Sequence, residues 1–263
     1  MKLVGLIIAT LLSISCAFES KGSIEKLDSR FEQLPHPEGQ VKDHEVESLQ
    51  KVDSGITRFA GFYHFGDSEG ESTLHLHFSK GIWSAQRQGG VWSEDGMGWI
   101  PAYVNFSNIA VDIDGNFSAD ELASTGKSIT RKGKFVKSTN ISGQEIKGLK
   151  IHPTWTIGYD ENTTETGFKY DVDAHEMYAG EYPKSSYRIL EKIDLEQLSK
   201  EQLQIMRNEI YARYGFKFKQ GGAMIKHFEQ QEWYRPVFGK VDSFLNTIEL
   251  ENIKLIKRVE ADK

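Results

Sequence analysis

Apolar residues along this chain repeat with two different periods, and the change near Asp171 separates two kinds of structure. From residue 58 to about 170, short runs rich in aromatic and β-branched residues alternate with polar ones, as in 59–65, 73–78, Ile109-Val111-Ile113 and 154–159. Successive side chains of a strand point to opposite faces, so a period of two makes one face apolar and leaves the other wet. Gly, Asn and Asp separate the runs and no helical period of useful length intervenes. Such strands predict an antiparallel sandwich or barrel over residues 56–170. After Asp171 the period lengthens to that of a helix. Leu203, Met206 and Ile210 follow a Ser199-Lys200-Glu201-Gln202 capping box, and Gly215 stands where a left-handed residue would end the helix. A helical turn is expected over 223–228, and Leu245, Ile248, Asn252, Leu255 and Val259 form a second series. The expected fold class is α+β: an antiparallel β sandwich or barrel-like domain, a linker over 171–184 and a small helical domain.

The charge balance narrows the partners. With 32 basic against 38 acidic side chains and a net charge of -6, the chain lacks the basic surface that nucleic acid requires. Its single cysteine excludes a disulfide framework within the chain and any Cys-built zinc or iron-sulfur site.

That cysteine has a particular place. Lys2 precedes an apolar run over 3–14, too short to cross about 30 Å of hydrocarbon as a helix. A charged end, a short apolar core and small residues before a cut make a secretory signal over 1–15. Leu12-Ser13-Ile14-Ser15-Cys16 resembles the lipobox of bacterial lipoproteins, with Ser13 where the usual Leu stands. The resemblance implies a diacylglyceryl thioether and an amide-linked acyl chain on Cys16, which together anchor firmly. Ala17 rather than Asp after the cysteine points, by the sorting rule of enteric bacteria, to the outer membrane. Residues 16–55, polar and interrupted by Pro35, Pro37 and Gly39, read as the lipidated cysteine and a tether.

A second resemblance lies at the other end. Arg207-Asn208-Glu209-Ile210-Tyr211-Ala212-Arg213-Tyr214-Gly215-Phe216, then Phe228, Trp233-Tyr234, Pro236 and Asn252-x-x-Leu255-Ile256, resemble the bacterial YARHG domain over residues 185–260. Ser185-Ser186-Tyr187-Arg188-Ile189-Leu190 resembles its lead-in, and Tyr214 departs from the histidine of the family's motif. The resemblance implies an exported bacterial protein and carries no particular activity. Glu209 and Arg213 are spaced i,i+4 in the favourable order, and Tyr211 and Tyr214 are expected to share a face beside Trp233 and Tyr234. Arg207, Arg213, Tyr211, Trp233 and Tyr234 are the candidate binding residues, since Arg and aromatics dominate interface hot spots. The reading preferred over a binding groove of Arg207, Arg213 and Trp233 is that Arg and Asn hold loops through backbone carbonyls, with Tyr214 a structural position.

Other constellations are weaker. His75 and His77 alternate on a strand with His64 on the preceding one, which permits a metal site. Asp112-x-Asp114-Gly115 with Ser118 and Glu121 matches part of an EF-hand loop, but Ala110 stands at its first position and a hairpin turn explains the same residues. Asp171, Asp173, His175 and Glu176 cluster at the expected linker. No catalytic motif, metal site or cofactor site is expected, and the chain is read as a non-enzyme. The expected function is a membrane-anchored envelope lipoprotein that binds or scaffolds an envelope, cell-wall or host component. The alternatives are a carrier of a small apolar ligand in a lipocalin-like barrel, with Trp83, Trp99 or Trp155 at its mouth, and a metal-dependent envelope hydrolase.

Overall fold

Alternation of inward apolar and outward polar residues closes the β half on itself. The computed structural model describes residues 55–66, 70–96, 98–122, 128–139, 143–155 and 163–263. The expected signal, Cys16 and all of the tether except Gly55 lie outside the described residues. Strands β1 (Gly61–Phe65), β2 (Ser72–Ser79), β3 (Ile82–Trp92), β4 (Trp99–Val111), β5 (Asn116–Leu122), β6 (Ser128–Thr139), β7 (Glu145–His152) and β8 (Glu165–Lys169) form an up-and-down antiparallel barrel. It closes where Tyr63 pairs with Lys169 and His64 with Phe168. The choice the sequence leaves between sandwich and barrel is thus resolved by one strand pair.

Tyr63, Phe65, Leu74, Leu76, Phe106, Phe117, Phe135, Leu149 and Ile151 fill the interior. The filling is tight enough to require glycine at Gly167, where a Cβ would stand 2.4 Å from the Phe65 ring. A 3-10 turn, Ile56–Phe59, plugs one end: Phe59 stacks on Phe135 at 4.4 Å, and Lys169 Nζ donates to the Arg58 carbonyl at 3.0 Å and that of Ala60 at 2.5 Å. Phe59 therefore precedes the first strand, and Ile113 falls in the turn beyond β4, so both lie outside the strands expected for them. That turn is built by Asp112, whose carboxylate accepts from the Asp114 and Asn116 N–H groups at 2.9 Å each. A hairpin turn thus uses Asp112, Asp114 and Gly115 of the partial EF-hand match, while Ser118 and Glu121 lie on β5.

Helices α1 (Ala174–Met177), α2 (Lys184–Tyr187), α3 (Lys192–Leu195), α4 (Lys200–Arg213), α5 (Ala223–Phe228) and α6 (Thr247–Ala261) follow. The Ser199–Gln202 capping box starts α4, Tyr214 caps its end and Gly215 leaves it at φ 70°. Asn246 and Glu249 make a second capping box on α6. Leu203, Met206, Ile210, Ile253, Ile256 and Val259 join α4 to α6, while Phe218, Ile225, Phe228 and Tyr234 form a smaller cluster. No helix among the described residues is long and apolar enough to cross a membrane. Residues 171–184, expected as a linker, are instead built into the fold: Asp173 caps α1 by accepting from His175 N–H at 2.7 Å, and Tyr178 is buried. The charges there serve helix capping and solvation, while the aromatic ring that follows them is what packs.

Candidate functional site

The outward residues of β1, β2 and β3 are where the structure departs most from an ordinary half-wet barrel. Phe62, His75, His77, Ser84 and Gln86 point away from the interior yet are buried, because the helices cover them. Tyr178 places its hydroxyl 3.1 Å from His75 Nδ1 and 2.8 Å from His77 Nε2, with the Phe62 ring edge-on to both imidazoles. Burial holds His77 down at about 3, and burial together with neighbouring His77 holds His75 well below its ordinary value. Both imidazoles are therefore neutral at physiological pH and act as hydrogen-bonding spacers. Gln86 donates to the Phe244 carbonyl at 2.5 Å and to Asn105 Oδ1 at 2.9 Å, and Asn105 in turn donates to the Leu245 carbonyl at 3.0 Å.

Tyr214 is the link from the helical side. Its hydroxyl donates to Glu249 Oε2 at 2.7 Å with Gln86 Oε1 3.1 Å away, and its ring packs edge-on against Tyr103 of β4 at 4.7 Å. Glu249 also accepts from the Ser186 hydroxyl at 2.5 Å and the Asn246 N–H at 3.0 Å. Burial pushes the Glu249 carboxyl up to about 7, against the lowering effects of Ser186, Asn246, Tyr214 and Arg213. Arg213 continues the network, donating to Ser186 Oγ at 2.7 Å and the Ala179 carbonyl at 2.7 Å and pairing with Glu209. Glu209 accepts from the Glu181 and Tyr182 N–H groups at 2.7 and 2.8 Å. Asn252 donates to the Ser185 and Arg188 carbonyls at 2.8 Å each. The motif's polar residues thus hold loops through the backbone, the expectation that competed with a binding groove.

A second polar cluster sits inside the barrel, at the end opposite the 3-10 plug. Glu121 accepts from Arg87 Nη2 at 3.0 Å and Arg131 Nε at 2.7 Å, and Arg131 donates to the Pro153 and Thr154 carbonyls at 3.1 Å each. The chain leaving β7 there lays Trp155 against Phe65 and Phe106, with the Arg87 guanidinium 5.8 Å from its ring centroid.

The residues singled out from sequence do not converge. Arg213 is interior and engaged with Glu209, Ser186 and the Ala179 carbonyl, so the alternative groove of Arg207, Arg213 and Trp233 is not formed; burial of the arginine beside Glu209 is the reason. Arg207 instead pairs with Glu260 at 3.0 Å beside Lys200 and Lys257, lining a shallow cleft of about 260 Å³. Tyr211 neighbours Phe216, and Tyr234 donates to the Phe216 carbonyl at 2.6 Å and packs with Trp233, whereas Tyr214 turns to the barrel. The expected shared face of Tyr211 and Tyr214 beside Trp233 and Tyr234 is therefore divided between two clusters. His64 lies 3.6 Å from Glu71 whereas His75 and His77 meet Tyr178, and no metal-ligating cluster occurs among the described residues. Cys16 lies outside the described residues. Sequence reasoning missed Tyr178, Gln86 and Glu249, although Asn246-x-x-Glu249 has the form of a capping box. It also missed Arg87 and Arg131, each of which interrupts a period-two apolar series on one strand face, and it took Glu121 only as part of the EF-hand match.

Comparison with curated proteins and with solved structures gave no match. Residues 178–261 match the model of the YARHG domain, starting at the tyrosine that meets His75 and His77 and including the network from Arg213 to Asn252. The chain therefore carries a C-terminal YARHG domain, following and packed against a closed eight-stranded β barrel.

Proposed function

We propose that this is a lipid-anchored protein of a bacterial envelope, held at the outer membrane through Cys16, that binds or scaffolds an envelope, cell-wall or host component. The observation that supports this reading is the buried network from Glu209 through Arg213, Ser186, Glu249 and Tyr214 to Gln86. It commits the motif's polar groups to fixing helices and barrel as one body, the property a scaffold requires, and leaves recognition to exposed apolar side chains such as Trp92 and Ile193. The anchor is tested by the intact mass of the mature protein, expected to start at Cys16 with acyl chains attached; an unacylated amino terminus at another residue removes it. Binding is tested by photo-crosslinking in cells from position 92 or 193, where one discrete adduct is expected. The absence of adducts from both sites overturns the scaffold reading.

A second reading, carriage of a small ligand, is supported by the closed barrel and by the polar cluster at one of its ends. Tight aromatic filling argues against a deep apolar cavity, so a ligand would sit at the mouth.

A further inference from the structure

The barrel end that holds Arg87, Glu121, Arg131 and Trp155 has two features that filling alone does not explain. Among the described residues, Arg87 Nε and the Trp155 indole nitrogen are both buried donors without a hydrogen-bond partner. Trp155 is only 5% exposed, and its ring centroid lies 5.8 Å from the Arg87 guanidinium carbon, so the two donors sit on neighbouring side chains. Buried N–H groups left unpaired are costly, which makes an oxygen acceptor the group that completes the site. An anionic oxygen is the acceptor that a guanidinium N–H holds most strongly, and the Glu121 carboxylate is already shared by two guanidiniums. Glu165, a second acid at this end, is turned to the Thr154 hydroxyl at 2.6 Å and the Trp155 backbone N–H at 2.9 Å.

The second feature is an apolar lip on the same face of the sheet. Val91 lies four residues beyond Arg87 on β3, hence on its face, and pairs with Ile100; Ile129 pairs with Glu121. These three are 52%, 39% and 37% exposed although their face is the one that lines the interior further down the barrel. Donors below and hydrocarbon above define an amphiphile.

We propose that this mouth binds a monocarboxylate amphiphile, its carboxylate accepting from Arg87 Nε–H and the Trp155 indole N–H and its hydrocarbon lying along Val91, Ile100 and Ile129. The inference deepens the carrier reading and rests on it. The test titrates the full chain calorimetrically with octanoate and, separately, with 1-octanol. One octanoate per chain is expected, with octanol and the Trp155→Phe variant each weaker by about tenfold or more, since a charge-assisted hydrogen bond is lost in either case. Ile129→Asp should weaken both ligands. Should the Trp155 variant fail to fold, the unsubstituted chain still decides: octanoate must move the Trp155 indole N–H resonance downfield. Octanol binding as tightly as octanoate overturns the carboxylate assignment and leaves the carrier reading standing. Binding of neither overturns both, and octanoate binding with the Trp155 resonance unmoved overturns the site.

Discussion

Arg207 and Arg213 share one helix and one side-chain chemistry, yet burial gives them different weights. Arg213 supports Glu209, Ser186 and the Ala179 carbonyl in the interior, so Arg213→Ala strands a buried carboxylate and should cost about 3–5 kcal/mol in urea unfolding. Arg207 meets Glu260 at a cleft open to solvent, and Arg207→Ala should cost only about 1 kcal/mol. A larger loss at Arg207 than at Arg213 would contradict this assignment. Glu249 gives a prediction in pH. Its carboxyl titrates near 4.5 when unfolded and at about 7 when folded, so the native state binds the extra proton between those values. Its contribution is present below pH 4.5 and is lost as pH rises to about 7. Relative to Glu249→Gln, the unsubstituted protein should thus lose roughly 3 kcal/mol across that window. Measuring the difference between the two proteins cancels the opposite slope of His75 and His77, which stay neutral when folded and charge on unfolding below about pH 6.5. A flat difference would place the Glu249 carboxyl in solvent.

At the scale of elements, caps and turns carry the argument. The Ser199 capping box, the amphipathic spacing of α4 and the left-handed Gly215 were all legible, because they depend on neighbours within one turn of chain. Gly215 is doubly constrained: its φ is 70°, and a Cβ there would lie 2.6 Å from the Arg235 carbonyl oxygen. Gly215→Ala should lower stability by about 2 kcal/mol or more, read as a drop in Tm, whereas Gly221→Ala, with an open surround, should cost only the backbone term of about 1 kcal/mol. Equal losses would show that the turn to Arg235 is not formed. The hairpin of β3 and β4 extends past its neighbours and carries an edge-on Trp92–Trp99 pair at 5.5 Å. Trp99 lies against Gly90, where a Cβ would stand 2.2 Å from its indole nitrogen, so this glycine is required by the close approach of a ring rather than by backbone angles.

For the whole molecule, the buried face between barrel and helices makes separate unfolding unfavourable. A barrel released alone would expose Phe62, Gln86 and the two histidines that are now covered. Helix ellipticity and tryptophan fluorescence, the latter dominated by the four barrel tryptophans, should therefore follow one urea transition, and Gln86→Leu should shift both together. Two separated transitions would instead establish independent domains joined by a cleavable linker at 171–184. The sequence by itself determined the two hydrophobic periods, the α+β class, the α4 boundaries and the YARHG motif, since each depends on residues close together in the chain. It also set limits through its one cysteine and acidic balance. Only the tertiary structure decided that the strands close into a barrel and that Arg213 and Tyr214 face inward. The same is true of the meeting of Tyr178 with His75 and His77, and of Arg87 with Glu121 and Trp155. The physical reason is that period-two alternation says which residues share a face but not what covers that face. Burial by a partner more than a hundred residues away, as between His75 and Tyr178, leaves no local trace in the order of the amino acids.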